Sequence, residues 1–127
     1  MIINQLAVYS QNDVGKLLPI VKTLGDNGIN IESLNIADTS EYGIVRMLTS
    51  DNEKAQKILA KSGFLSTITS LVGVEVKNEA GDLSKVLEKL ASNNIDIEYV
   101  YSYSKDTGTA LILIKTDKIK EAEELLK

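Results

Sequence analysis

Apolar and polar residues alternate with a period of two near the start of the chain. Leu6 and Val8 point one way and Gln5, Ala7 and Tyr9 the other, which predicts a strand over residues 2–10. Asn12-Asp13-Val14-Gly15 then reads as a turn. Leu17, Ile20, Val21 and Leu24 recur at helical spacing, predicting a helix from Lys16 to Asn27 that stops at Asn27-Gly28. Residues 29–38 form a second predicted strand, 39–41 a turn and 42–50 a third strand. Asp51 caps a helix that runs to about Lys61 with Ala55, Ile58 and Leu59 inward, and Ser62-Gly63 ends it. From Phe64 to Lys77 the only breaker is Gly73, so a fourth strand over 64–69 runs on without a loop. The expectation is one long, bent strand shared by two modules.

The order then starts again. A turn at 78–81 precedes a helix to Asn93, a strand over 95–104, a turn at 105–108, a strand over 109–115 and a helix over 117–126. The residues repeat as well as the elements. Asn12, Gly15, Leu17, Leu24, Asn27, Ile29, Ile31 and Glu32 return sixty-six positions later as Asn78, Gly81, Leu83, Leu90, Asn93, Ile95, Ile97 and Glu98. Such self-similarity marks one structural unit used twice. Strand-helix-strand-strand-helix-strand is the split βαβ, ferredoxin-like pattern. The fold class expected is therefore α+β: two βαββαβ modules, residues 1–70 and 71–127, each an antiparallel sheet with helices on one face. The second module lacks its last strand. That leaves an edge beside Val72 to Val76, to be covered by a strand of the first copy or by a second subunit.

Composition removes whole classes of function. The chain of 127 residues contains no Cys and no His. Thiolate chemistry, zinc thiolate sites, the commonest general base and the commonest transition-metal ligand are absent with them. No Gly-x-Ser-x-Gly turn and no phosphate-binding loop is present. No catalysis, cofactor or metal is expected. The net charge is -4, Arg46 is the only arginine and the lysines are dispersed, so no basic face for nucleic acid is visible. No apolar run approaches the roughly 20 residues of a membrane span, and the start lacks a signal-peptide pattern. A cytoplasmic protein without nucleic-acid or membrane partners is expected.

The turn before each module's first helix offers the best chemistry. Helix N-termini carry unpaired N–H groups and a partial positive charge, and they suit a carboxylate. Gly15 and Gly81 would let a ligand approach the backbone, or serve only to make the turn. The candidate residues are Asn12, Asp13, Val14, Gly15, Lys16 and Leu17, with Asn78, Glu79, Ala80 and Gly81 in the second copy. Lys16 and the amides could hold the carboxylate of an amino acid while Asp13 holds its ammonium. In the second copy Glu79 and Asp82 bracket the same amides and disfavour an anion, so the first copy is the expected site. Arg46, among apolar strand neighbours, suits an ion pair with Asp38 or Glu32, or a ligand carboxylate. Tyr99, Tyr101 and Tyr103 share a sheet face and suit either a pocket or an interface; their counterparts Ser33, Asn35 and Ala37 include two polar residues within reach of a ligand.

Asn-Asp-Val-Gly-Lys-Leu followed by Gly-Ile-Asn-Ile resembles the ACT domain, and Asn-Glu-Ala-Gly-Asp-Leu with Asn-Ile-Asp-Ile resembles it again. Ile36-Ala37-Asp38-Thr39-Ser40 and Tyr42-Gly43-Ile44-Val45-Arg46 are similar to small stand-alone proteins made of two ACT domains. Val14 and Ala80 stand where the family has Pro before the turn glycine. The resemblance implies a non-catalytic regulator that binds a small molecule, usually an amino acid, at the turn before helix one at a module interface. It also implies a free-standing sensor or the partner of a metabolic enzyme encoded elsewhere. The alternative is an interaction module that binds such an enzyme through its sheet face or edge without a small ligand. The strand over 110–114 is apolar on both faces, which suits a homodimer.

Overall fold

The computed structural model describes residues 1–11, 13–38, 42–104 and 106–127. The predicted turn at 39–41, and Asn12 and Lys105 in two others, lie outside the described residues. The element order is β1 (Ile2–Gln11), α1 (Leu17–Asp26), β2 (Ile31–Asp38), β3 (Tyr42–Thr49), α2 (Asn52–Lys61), β4 (Leu65–Lys77), α3 (Asp82–Ser92), β5 (Tyr99–Tyr103), β6 (Thr109–Lys115) and α4 (Ile119–Leu125). This is the α+β, ferredoxin-like pattern. The loopless stretch is one strand of 13 residues, β4. Among the described residues no helix is long and apolar enough to cross a membrane.

The chain forms two compact units, Asn4–Thr69 and a second made of Ser70–Lys127 together with Met1–Ile3. The first three residues, which the repeat assigns to the first half, thus belong to the second unit.

In the unit Asn4–Thr69, β3 lies between β2 and β1 and pairs antiparallel with both. Leu6 stands opposite Met47 and Val8 opposite Val45. These four pack with Ile20 and Leu24 of α1 and Ala55 and Leu59 of α2 in one core. Alternate residues point away from the helices, which places Ala7, Arg46 and Asn35 in one cross-strand row. The helix α1 starts at Leu17, so Pro19 falls in the first turn, where its missing N–H costs nothing. Asp51 caps α2 by accepting a hydrogen bond from the Lys54 N–H at 3.1 Å.

The second unit repeats the plan. Strand β6 lies between β4 and β5, antiparallel to both. Val72, Ala110, Ile112 and Ile114 face α3 and α4 and share a core with Val86, Leu90, Ala122 and Leu126. The repeat extends to single hydrogen bonds. The Asn27 side chain donates to the Thr23 carbonyl at 2.8 Å, and the Asn93 side chain donates to the Lys89 carbonyl at 2.8 Å. The Ile29 N–H donates to the Leu24 carbonyl at 2.9 Å, and the Ile95 N–H donates to that of Leu90 at 3.0 Å. Both helices therefore end in the same Schellman-type closure.

One expectation changes here. The strand predicted over 95–104 is only Tyr99–Tyr103. Ile95 and Ile97 alternate like strand residues, but they belong to an extended lead-in that packs on the core without ladder pairing. The edge beside Val72 is also closed at Gly73. The Gly73 N–H donates to the Met1 carbonyl at 2.7 Å, and the Met1 ammonium donates to the Gly73 carbonyl at 3.0 Å. Met1, just ahead of β1, thus supplies, within this unit, a partner at the place a fourth strand would take, and the start of the first copy is the first of the two covers expected from the sequence.

Gly73 is a close approach rather than a turn. A Cβ there would meet Ile3 Cγ1 at 2.7 Å and Met1 Cγ at 3.3 Å. We expect Gly73→Ala to destabilise the protein by about 1–3 kcal/mol through overpacking. Urea denaturation in a double-mutant cycle with Ile3→Ala checks the cause: the cost of Gly73→Ala must fall once Ile3 is shortened. An unchanged cost would place the strain elsewhere.

Candidate functional site

In the first unit the turn between β1 and α1 borders a cavity of about 500 Å³. Asp13, Val14, Gly15 and Lys16 line it, joined by Tyr9, Ser10, Pro19 and Phe64. A volume of this size suits a small ligand. The turn is tight: the Lys16 N–H donates to the Asp13 carbonyl at 3.2 Å and the Leu18 N–H to the Gly15 carbonyl at 3.3 Å. Gly15 adopts φ +77°, and a Cβ there would meet nothing within 4 Å. The glycine is therefore required by its backbone conformation and leaves open space beside the helix N-terminus. Val14 is fully exposed at the tip.

Ser10 lies on the helix-facing side of β1, in line with Leu6 and Val8. Its Oγ is buried with no hydrogen-bond partner among the described residues, and the residue lines the cavity. A buried hydroxyl without a partner costs free energy, so a polar group in the cavity would relieve it. Lys16 and Asp13 supply one charge of each sign.

The corresponding turn of the second unit differs in detail. Gly81 is the helix N-cap at φ 91°, and its carbonyl accepts from the Lys85 N–H at 3.2 Å and the Ser84 hydroxyl at 2.8 Å. The Asn78 N–H donates to the Gly108 carbonyl at 3.1 Å. The adjoining cavity, about 430 Å³, is lined by Glu75, Glu79 and Asp82 against Lys77 and Lys85. Lys85 is 3.5 Å from Asp82. Three carboxylates against two ammonium groups make it a poorer host for an anion than the first turn.

The remaining candidates lie apart from these turns. Ser33 and Asn35 are on β2, opposite Leu48 and Arg46, on the face away from the helices. Asn35 Nδ2 is buried without a partner among the described residues, next to the half-buried Arg46. Tyr99 and Tyr101, in the other unit, stack with ring centroids 6.4 Å apart. Leu17 opens α1 and packs on the core. Sequence reasoning missed Ser10 and Phe64 as cavity walls. Ser10 carried a signal, because strand alternation puts it in line with Val8; Phe64 reaches the cavity only through the packing of α2.

A family model described as an ACT domain pair matches residues 1–127. The chain belongs to the ACT domain-pair family. A solved structure of protein BT0572 from Bacteroides thetaiotaomicron superposes on this ACT pair with TM-score 0.92 and 33% identity, covering 99% of this chain and 87% of that one. The regulatory subunit of aspartate kinase from Thermus thermophilus superposes with TM-score 0.67 at 12% identity, covering 96% of this chain and 89% of the other. That from Thermus flavus gives 0.63 at 14%, with 97% and 89% covered. At such identities the two Thermus structures show the shared fold. No curated protein matches the sequence. ACT pairs are regulatory, ligand-binding modules, and this chain carries that module over its full matched length.

Proposed function

We propose that this ACT pair is a non-catalytic, cytoplasmic regulator that binds a free amino acid at the turn between β1 and α1. The observation that carries the reading is the cavity bordered by Gly15, Lys16 and Asp13 at the start of α1. The ligand carboxylate sits against Lys16 and the positive end of the α1 dipole, where the partial positive charge favours it. Asp13 takes the ammonium, and Ser10 Oγ takes a further polar atom. The free energy of binding is then available to bias a metabolic enzyme that the pair contacts.

The second turn, with its excess of carboxylates, stays empty. Chemical-shift mapping with the amino acid that binds checks this: signals of residues 13–19 are expected to move, and those of residues 79–85 to stay. Equal movement in both turns would show that the charge difference does not select the site.

The protein acts as a homodimer or larger assembly. In the second unit, Leu113 stands beside Tyr101, which stacks on Tyr99, on the face away from the helices and beyond Tyr103. The tyrosines there are only half-buried, and aromatic residues of this kind are enriched at subunit interfaces. Light scattering at micromolar concentration is expected to give about twice the chain mass of 13.9 kDa. A monomer mass unaffected by added amino acids would remove this part of the reading.

A further inference from the structure

The same face of the second unit carries a cavity of about 300 Å³ whose chemistry differs from that of the turn. Its apolar lining is Met1, Ile3 and Leu111, with Tyr103 as an aromatic wall, and Glu75 and Asp106 bring two carboxylates. The β-ladder builds most of it. Leu111 pairs with Glu75 on one side and with Tyr103 on the other, so the three form one row across β4, β6 and β5. Val72 and Ile112, a residue or more out of phase, face the helices, so this row faces away from them. Gly73 keeps the space open, since a Cβ there would press on Ile3 and lie 3.4 Å from Leu111 Cδ1.

The Asp106 charge is fixed by local bonding. Asp106 Oδ1 accepts from the Gly108 N–H at 3.0 Å, the Thr109 N–H at 3.0 Å and the Thr109 hydroxyl at 3.1 Å. These bonds hold its carboxyl below the ordinary value, so it is ionised throughout the neutral range. Among the described residues no Lys or Arg lines the cavity. Met1 also lines the cavity, and its ammonium donates to the Gly73 carbonyl at 3.0 Å and lies 3.9 Å from Glu123.

We infer that this cavity binds a primary amine that lacks a carboxylate, with its ammonium held between Glu75 and Asp106 and its hydrocarbon chain laid over Leu111 and Ile3 beside the Tyr103 ring. Two carboxylates and an aromatic face attract a cation, and an apolar floor rewards a hydrocarbon. A zwitterionic amino acid would bring a third carboxylate to the first two and is rejected. The two units therefore differ in what they take: an amino acid at the first turn, an amine on the second unit's open face.

The test is a two-dimensional NMR titration of the full chain with n-pentylammonium. Pentan-1-ol serves as the uncharged control, and norleucine as the same amine bearing a carboxylate. Pentylammonium is expected to move the signals of Ile3, Tyr103 and Leu111 at concentrations at least tenfold lower than either control. Glu75→Gln, at an exposed position, should weaken that effect at least fivefold, whereas Gly15→Val should leave it unchanged. The inference is overturned if pentan-1-ol or norleucine acts at the same concentration, if Glu75→Gln has no effect, or if the shifts fall at residues 9–19. Failure here leaves amino-acid binding at the first turn untouched, because that is read on other residues and with another ligand.

Discussion

Leu90→Ala is expected to destabilise the protein by about 2–5 kcal/mol, the range for removing a buried leucine and leaving a cavity. Leu90 is fully buried and sits where α3 meets the sheet, among Val72, Val86 and Ile114. Its carbonyl, which alanine keeps, accepts from both the Asn93 and Ile95 N–H groups, so the substitution removes the side chain alone. Leu24 holds the equivalent place in the other unit, equally buried and with equivalent bonds from Asn27 and Ile29. Leu24→Ala should therefore cost a similar amount. Leu83, also apolar but 43% exposed, gives the contrast: Leu83→Ala should cost less than about 1 kcal/mol. Urea denaturation of the three variants decides it. Equal effects of Leu90→Ala and Leu83→Ala would show that helical spacing alone had been mistaken for packing.

Gly15→Val is expected to abolish stabilisation by the amino-acid ligand. At φ +77° a valine is strained by roughly 1–2 kcal/mol, and the turn must open to relieve it. Opening moves the Asp13 carbonyl and the Lys16 N–H, which are joined at 3.2 Å, and displaces Asp13 and Lys16, which line the cavity. Loss of stability and loss of binding must be told apart. Gly28→Val supplies the control, because Gly28 has φ +76° with the same open surroundings but lies at the far end of α1. It should lower the melting temperature comparably and keep the ligand-induced rise. If both variants keep the rise, the turn does not hold the ligand.

Much of the fold was legible because local signals agreed with one another. The offset repeat of Leu24 and Asn27 as Leu90 and Asn93 corresponds to two helix ends with the same bonds. The absence of a breaker between Phe64 and Lys77 corresponds to a strand of 13 residues. What stayed hidden was non-local. Nothing near Met1 says that it pairs with Gly73, because that contact is decided by tertiary packing. Gly73 itself looks like punctuation in the sequence, and only the nearness of Ile3 shows why a side chain is excluded. Ile95 and Ile97 alternate as a strand would, yet burial in an extended lead-in yields the same alternation. For the candidate site, the turn residues could be read from helix-start chemistry. The Phe64 wall and the buried Ser10 hydroxyl required the packed unit. The open-face cavity was hidden for the same reason, since it joins the first residues of the chain to the β5–β6 turn.

Thermal melting against the twenty standard amino acids, each at millimolar concentration, tests the central claim most directly. A ligand at 100 times its dissociation constant adds about 2.7 kcal/mol to the folded state. The account predicts that at least one amino acid raises the melting temperature by several degrees, and that Gly15→Val loses the rise while Gly28→Val keeps it. A wild-type protein whose melting temperature is the same with every amino acid would contradict the account and favour an ACT pair that acts through protein contacts alone.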